Sequence, residues 1–222
     1  MFDLHVHSMY SDGQGSVEEI ARKAKERGLK VIAIADHSCE HPLGLDEGKA
    51  RRRKEEIELC QDKYGIRILD AVECGIDADG RIEMPKHDFE LVIASVHECL
   101  PVEEYCRRII ECAKNFDFDV LGHFHSSVFN TYSDSVELDL EVIDVLRENG
   151  IALEINSAHR APPSELLDEI SVEDLKNLLF SVGSDSHSVS RVGDVSWSFD
   201  VLNRKVGRRA GGWRSVLEKL DV

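Results

Sequence analysis

Hydrophobic and polar positions alternate along the chain with two periods, which predicts strands and helices in succession. Residues 2–7 carry polar side chains at alternate positions, as in a strand with one polar face. Residues 30–35 are an almost continuous apolar run, as in a strand of a buried parallel sheet. Similar apolar segments predict further strands at 66–73, 91–96, 120–122, 151–155 and 179–182.

Helix signals fill the segments between these strands. Ser16 is a good N-cap with Glu19 three residues later, so a helix should begin there and stop at Gly28. Further helices are predicted at 49–64 before Gly65, at 102–115, at 137–149 before Gly150, and at 164–177. Strands that alternate with helices indicate an α/β fold, either a barrel or an open parallel sheet.

Polar residues stand at the carboxyl ends of these strands. They are His5, His7, Asp36, His37, Glu73, His97, His123, Glu154, Asn156, Asp185 and His187. In a barrel of parallel strands the carboxyl ends share one face, so residues far apart in sequence can meet there. An open sheet would spread them along a line. The placement therefore favours the barrel.

Composition limits the possible classes of protein. The 222 residues are 42% hydrophobic and 32% charged, which fits one globular domain spanning 1–222. No apolar run could cross a bilayer, and the first ten residues lack a secretory signal pattern. We therefore expect a cytoplasmic protein without a membrane partner. None of the six cysteines stands in a C-x-x-C pair, and we interpret them as reduced thiols.

The formal net charge of −16 bears on possible partners. An acidic surface repels phosphate backbones, which disfavours unaided binding of long DNA or RNA and favours a small substrate. Part of the acidity can face bound cations instead of solvent. The sequence leaves the oligomeric state open.

The histidines and carboxylates at the strand ends predict a metal centre. His5 and His7 lie two apart on a strand, so both imidazoles point to the same face. An H-x-H pair alone can also be structural. So many histidines and carboxylates buried together would repel or stay unsatisfied without cations, however, and metal ions would solve that problem.

The order of short motifs resembles the PHP (polymerase and histidinol phosphatase) family of metal-dependent phosphoesterases. The motifs are HVHSMYSDG, IADHS, Glu73, SVH, GH and SDSH, and they span nearly the whole chain. The resemblance implies a distorted (β/α)7 barrel with two or three divalent metal ions. Nitrogen and oxygen ligands suit Zn, Mn or Fe better than Ca or Mg.

The resemblance also implies which residues bind these ions. His5, His7, Glu73 and Asp185 would hold one ion, and Asp12, His37 and His187 a second. His97, His123 and a bridging Glu73 would hold a third. All nine family positions are filled in this chain.

Two further segments bear on the substrate. The stretch from Glu154 to Arg160 resembles the E-I-N-x-x-x-R stretch of the histidinol phosphatases, which implies that Asn156 and Arg160 bind substrate and that Arg160 clamps phosphate in catalysis. A surface arginine is the alternative. His125 departs from the family pattern, and it could be a ligand, a proton donor or a hydrogen-bonded loop histidine. His159 could touch substrate.

We therefore expect an enzyme that hydrolyses a small phosphate monoester, with histidinol phosphate as the named candidate. Two close cations would produce hydroxide at neutral pH and neutralise the phosphoryl oxygens. The first alternative is a phosphodiesterase or exonuclease acting on nucleotides or short nucleic acid. The second is a non-enzymatic scaffold like the related barrel of RNase P, although that protein type is basic and lacks ligands.

Overall fold

The computed structural model describes residues 1–222 and contains eight parallel strands in one curled sheet. The order of the strands in the sheet follows their order in the chain. They are β1 Phe2–Val6, β2 Val31–His37, β3 Arg67–Gly75, β4 Leu91–Ser95, β5 Val120–Leu121, β6 Ala152–Asn156, β7 Leu179–Gly183 and β8 Arg214–Ser215.

Helices follow most of the strands. They are α1 Val17–Glu26, α2 Glu47–Tyr64, α3 Val102–Asn115, α4 Val136–Asn149, α5 Leu166–Glu169, α6 Val172–Asn177 and α7 Ser196–Val201. Ser16 forms the predicted capping box with Glu19 at the start of α1. Gly65 and Gly150 end α2 and α4 in the left-handed conformation that glycine adopts at low cost. No helix is both long and apolar enough to span a membrane.

The sheet closes on itself beside the first strand. The amide of Asp185, just after β7, donates to the His5 carbonyl at 2.8 Å, and the His7 amide donates to the Ser186 carbonyl at 3.0 Å. These bonds place the end of β7 beside β1 and confirm the predicted barrel. The two-residue β8 pairs only with the beginning of β7, through Leu179 and Phe180.

Two parts of the predicted secondary structure differ from the structure. The helix predicted at 164–177 is wrong as a single element, because Ile170 is extended and Ser171 starts α6 as a new N-cap. The elements in the last part of the chain have no counterpart among the predicted strands and helices. There α7 continues through a π-helical turn, Leu202–Gly207, and β8 leads into a short 3-10 helix, Val216–Glu218.

Apolar residues fill both the inside of the barrel and the layer between strands and helices. The inner cluster contains Leu4, Leu69, Leu91 and Ile93, all essentially inaccessible to solvent. Val216 of the C-terminal 3-10 helix belongs to this cluster. Since β8 joins the beginning of β7, this segment closes the end of the barrel opposite the ligand-bearing ends of the strands. The barrel is therefore a packed core, and chemistry is confined to its other end.

A buried ion network joins α2 to the sheet. The guanidinium of Arg53, fully buried, donates to Asp36 at 2.8 Å, to Asp70 at 2.6 Å and to the Ala71 carbonyl at 2.5 Å. Asp36 also accepts from the amide and hydroxyl of Ser8, at 2.8 and 2.7 Å. The network thus fixes the start of the loop after β1.

Replacing Arg53 tests this network. In Arg53→Met the carboxylates of Asp36 and Asp70 lose their cation while staying buried. We expect the free energy of unfolding to fall by about 3–5 kcal/mol, because uncompensated buried charge is strongly destabilising. Urea unfolding is the measurement. Arg51→Met on the exposed side of α2 is the control and should stay within about 0.5 kcal/mol of the parent. A similar small effect in both variants would refute the role given to the network.

Candidate metal centre

The structure brings all nine sequence-predicted ligand residues to one end of the barrel. Each lies at the carboxyl end of a strand or in the loop that follows it. The residues are His5, His7, Asp12, His37, Glu73, His97, His123, Asp185 and His187. His5 and His187 come from opposite ends of the chain, yet their rings lie 5.1 and 4.2 Å from the ring of His7.

Glu73 of β3 stands at the middle of this group. Its Oε2 lies 3.5 Å from the Nε2 atoms of His5 and His7 and 3.1 Å from Nδ1 of His37. The register of the sheet explains the closeness of His37, because it pairs directly with Glu73 across β2 and β3. Glu73 is 1% exposed, so its charge is balanced by protein groups or bound cations.

The second oxygen of Glu73 contacts a different pair of histidines. Oε1 lies 3.2 Å from Nε2 of His97 and 3.0 Å from Nε2 of His123, and it accepts a 2.7 Å hydrogen bond from the Ser95 hydroxyl. One carboxylate thus contacts five imidazoles, three through one oxygen and two through the other. That arrangement suits a bridging ligand between neighbouring cations.

Asp12 and Asp185 extend the group on the side of His7. Asp12 lies 3.5 Å from His7, 3.6 Å from His37 and 3.3 Å from His187, measured between carboxylate oxygens and ring nitrogens. Oδ1 of Asp185 lies 3.5 Å from His7 and 3.6 Å from His187. The potential ligand atoms of His7, Asp12, His37 and His187 all lie within 4.8 Å of one another.

The polar atoms of this group fit divalent metal ions. Nε2 of His5 and both ring nitrogens of His7 are buried without a hydrogen-bond partner. Two ligand atoms about 2.1 Å from one tetrahedral ion lie about 3.4 Å apart. The nitrogen to oxygen distances of 3.5 Å around His5, His7 and Glu73 match that spacing better than a hydrogen bond.

The pKa values of two imidazoles, His5 and His37, are raised. Burial lowers the pKa of His5, but the carboxylates of Glu154, Asp185 and Glu73 outweigh burial and raise it well above its ordinary value. His37 follows the same pattern: burial lowers its pKa, and Glu73 outweighs that effect and raises it.

The pKa values of His7, His123 and Glu73 shift downward instead. Burial lowers the pKa values of His7 and His123, and nearby carboxylates only partly offset it. For Glu73, burial raises the pKa, but the surrounding imidazoles outweigh burial and hold it well below its ordinary value. Without cations the cluster thus keeps its carboxylates ionised and some imidazoles protonated.

A second layer of polar groups orients the imidazoles. Oε1 of Glu154 lies 2.7 Å from Nδ1 of His5, which turns Nε2 of His5 toward Glu73. Oε2 of Glu154 accepts from the His123 amide at 2.8 Å and from the Asn156 side chain at 3.0 Å. A carboxylate behind a ligating histidine fixes its tautomer and raises its basicity.

Asn156 and Arg160 lie apart from the centre of the site. Asn156 is fully buried, and its side chain bonds Glu154, Asp185 and the His159 amide, which favours a positioning role over the predicted substrate contact. Arg160 is exposed, with its guanidinium 5.0 Å from the ring centroid of Trp197. It does not line the cavity around the cluster.

His125 matches one of its three sequence alternatives. It is 3% exposed, and its Nε2 lies 2.5 Å from Oδ1 of Asp139, so it is a hydrogen-bonded histidine of the loop after β5. Cys106 lies beside this pair. Because the imidazole and carboxylate already bond each other directly, we assign the pair to anchoring the loop. All six cysteines are free thiols, as the sequence predicts.

The cavity above the cluster has a volume of about 280 Å³. Its walls include seven of the nine predicted ligands, together with His41, Phe129 and His159. From the sequence we assigned no role to His41 and did not single out Phe129. The position of His159 in the loop after β6 was the one signal that pointed to it. This volume is of the size of a small molecule.

Comparisons with known proteins agree with this geometry. The PHP domain family matches residues 3–158. A probable phosphatase of Caldanaerobacter subterraneus is 32% identical over 212 residues, covering 87% of this chain and 78% of the relative. The DNA polymerase/3'-5' exonuclease PolX of Bacillus subtilis is 26% identical over 205 residues, which are 87% of this chain but 35% of PolX.

A solved structure has the same fold. The histidinol phosphate phosphatase of Lactococcus lactis, crystallised with zinc, L-histidinol and phosphate, superposes with a TM-score of 0.71 at 22% identity. The superposition covers 96% of this chain and 95% of that one.

This protein is a metal-dependent phosphoesterase by class, as its barrel with histidines and carboxylates at the strand ends indicates. The chain belongs to the PHP family, as the domain match over residues 3–158 and the probable phosphatase at 32% identity show.

The pKa shifts predict the pH dependence of the metal-free protein. As pH rises above about 6.5, the ordinary histidine value, His5 and His37 keep protons in the folded state that unfolded histidines lose. A raised histidine pKa stabilises the fold fully below its unfolded value of 6.5, and this stabilisation is lost as pH rises through the folded pKa. We expect the free energy of unfolding to fall by about 1.4 kcal/mol per pH unit for each retained proton.

Urea unfolding in the presence of a chelator measures this profile. Saturating metal supplies the control, because ligands bind deprotonated and added metal should reverse the slope. A chelated protein whose stability rises with pH above about 6.5 would contradict the assignment of protons to His5 and His37.

Proposed function

We propose that this protein hydrolyses a small phosphate monoester with two or three divalent metal ions held by the nine converging residues. The observation that carries the proposal is Glu73, a buried carboxylate in contact with five imidazoles. Without cations this arrangement leaves buried ring nitrogens unpaired on His5 and His7. Cations satisfy them and neutralise the acidic oxygens.

The donor set indicates where each ion would bind. His5, His7, Glu73 and Asp185 supply one position, and Asp12, His37 and His187 a second. His97, His123 and the shared Glu73 supply a third. Imidazole and carboxylate donors favour zinc, manganese or iron over calcium or magnesium. The zinc bound by the Lactococcus lactis phosphatase supports this choice.

Each part of the site has a separate task in phosphoester hydrolysis. Bound divalent ions supply a nucleophile from water at neutral pH and neutralise charge on the phosphoryl oxygens. Glu73 would hold neighbouring ion positions at a fixed separation, because its two oxygens contact different imidazoles. Glu154 holds His5 in the tautomer whose Nε2 faces the centre. The surrounding imidazoles and Phe129 limit access to ligands that fit a cavity of about 280 Å³.

The small cavity and the net charge of −16 support a small monoester over long nucleic acid. Histidinol phosphate is the named candidate, and the L-histidinol and phosphate bound by the Lactococcus lactis protein support it. The match to PolX supports a second candidate, cleavage of nucleotides or short nucleic acid as an exonuclease. A scaffold role is disfavoured because all nine positions are filled.

Metal content and activity together test the proposal. We expect two or three ions per chain by elemental analysis of protein reconstituted with manganese, zinc or iron. Glu73→Gln should lose at least one ion and lower kcat/KM on a good monoester by more than about a hundredfold, because ligand loss exceeds the cost of losing a supporting residue. Glu98→Gln is the control, since Glu98 is exposed and pairs with Arg108.

Two results would overturn the proposal. One is a parent protein that binds at most one ion, away from His5 and Asp185. The other is full hydrolysis of phosphomonoesters by Glu73→Gln. A screen in which only diesters or nucleic acid ends are cleaved would replace the monoester with the exonuclease alternative.

Arg160 remains the predicted phosphate clamp, although it must leave Trp197 to reach the cavity. If it does so, Arg160→Ala should lower kcat/KM on a monoester about ten- to a hundredfold, the cost of one charged hydrogen bond of about 1.5–3 kcal/mol. Metal content should not change, because the guanidinium contacts no ligand. Arg191→Ala, at an exposed arginine of the loop after β7, is the control. Equal kinetics in both variants would remove Arg160 from the site.

A further inference from the structure

The two oxygens of Asp185 face different surroundings. Oδ1 faces the imidazoles of His7 and His187, at 3.5 and 3.6 Å. Oδ2 turns away from them, toward the Asn156 amide at 3.2 Å and Nε2 of His159 at 3.0 Å. The groups that bond Oδ2 therefore determine the direction of Oδ1, because both oxygens belong to one rigid carboxylate.

His159 uses both ring nitrogens within the protein. Nε2 lies against Asp185, and Nδ1 hydrogen-bonds the Ser126 hydroxyl. One tautomer serves both contacts, with Nε2 carrying its proton toward the carboxylate and Nδ1 accepting from the hydroxyl. Neither nitrogen is left to give a proton to a leaving group.

The loop after β6 fixes the position of the His159 ring. Asn156 and Ala161 exchange backbone hydrogen bonds at 2.7 and 3.2 Å, which closes the loop into a tight turn. The His159 amide donates to the Asn156 side chain at 3.0 Å. The ring then stacks on His123 with centroids 4.7 Å apart and planes 14° apart. His159 is thus held from the backbone, from Ser126 and from His123.

We propose that His159 is a positioning residue that fixes the orientation of Asp185, so that Oδ1 stays directed at the imidazole cluster. This assignment rests on the proposed metal centre and goes beyond it, because His159 belongs to neither the family ligand set nor the substrate contacts. The loop after β5 supports this arrangement. Its Ser126 hydrogen-bonds the His159 ring, and the bond between His125 and Asp139 anchors the loop.

His41 offers a matched control within the same cavity. Both histidines line the cavity, and both stack on a predicted ligand, His41 on His37 with centroids 4.4 Å apart. Nδ1 of His41 accepts only the Leu43 amide, at 3.3 Å, and the ring makes no ion pair with a carboxylate. His159 contacts a carboxylate and His41 does not, and this contact is the one under test.

The experiment measures manganese affinity by equilibrium dialysis of the full chain, with kinetics on p-nitrophenyl phosphate beside it. His159→Leu should bind manganese about 10- to 100-fold more weakly, the usual cost of losing a residue behind a ligand. Its kcat should fall while KM stays within about twofold. His159→Gln keeps an amide donor near the position of Nε2 and should bind about tenfold more tightly than His159→Leu. His41→Leu should keep the affinity of the parent.

Parent-like affinity in His159→Leu would overturn the assignment, and a raised KM alone would make His159 a substrate contact. Should neither His159 variant fold, Ser126→Ala takes their place, and unchanged affinity there would also refute the proposal. The affinity comparison does not need turnover. If the parent protein binds manganese but hydrolyses no ester, the proposed function is refuted. The manganese affinities of the parent and the His159 variants would still test the role of His159.

Discussion

A buried negative charge without a lysine or arginine partner is the constraint on which this structure depends. The carboxylate of Glu73 is almost inaccessible, and its neighbours are five imidazoles instead of fixed cations. Imidazoles satisfy it fully only when some are protonated or when cations lie between them and the carboxylate. The same group therefore behaves as an ion-pair cluster without metal and as a ligand set with it.

The fold meets this constraint by rigid placement. Parallel strands deliver the ligands to one end, and the C-terminal segment with Val216 closes the other. Around the ligands a second layer sets orientation: Glu154 behind His5, and His159 behind Asp185. Arg53 bonds Asp36, and Asp36 in turn bonds Ser8. This network ties α2 to the loop after β1, which carries Asp12. The orientation of the predicted ligands thus depends on residues outside the ligand set.

Sequence reasoning reached the barrel and the converging residues because both follow from local patterns. His97 is visible as a polar residue after an apolar run, and His5 as a polar position of an alternating strand. Contacts between different segments of the chain left no such pattern, so the pairing of His159 with Asp185 and of His125 with Asp139 could not be predicted. For Arg160 a motif suggested a phosphate contact, and only the structure shows that its guanidinium lies against Trp197.

In the proposed metal centre, Glu73 bridges cations within the imidazole cluster. Anomalous diffraction from crystals grown with manganese, recorded at the manganese edge, tests it most directly. We expect at least two anomalous peaks inside the ring of nine residues, one beside each oxygen of Glu73. A single peak, or peaks that leave both Glu73 oxygens bonded only to protein, would contradict it.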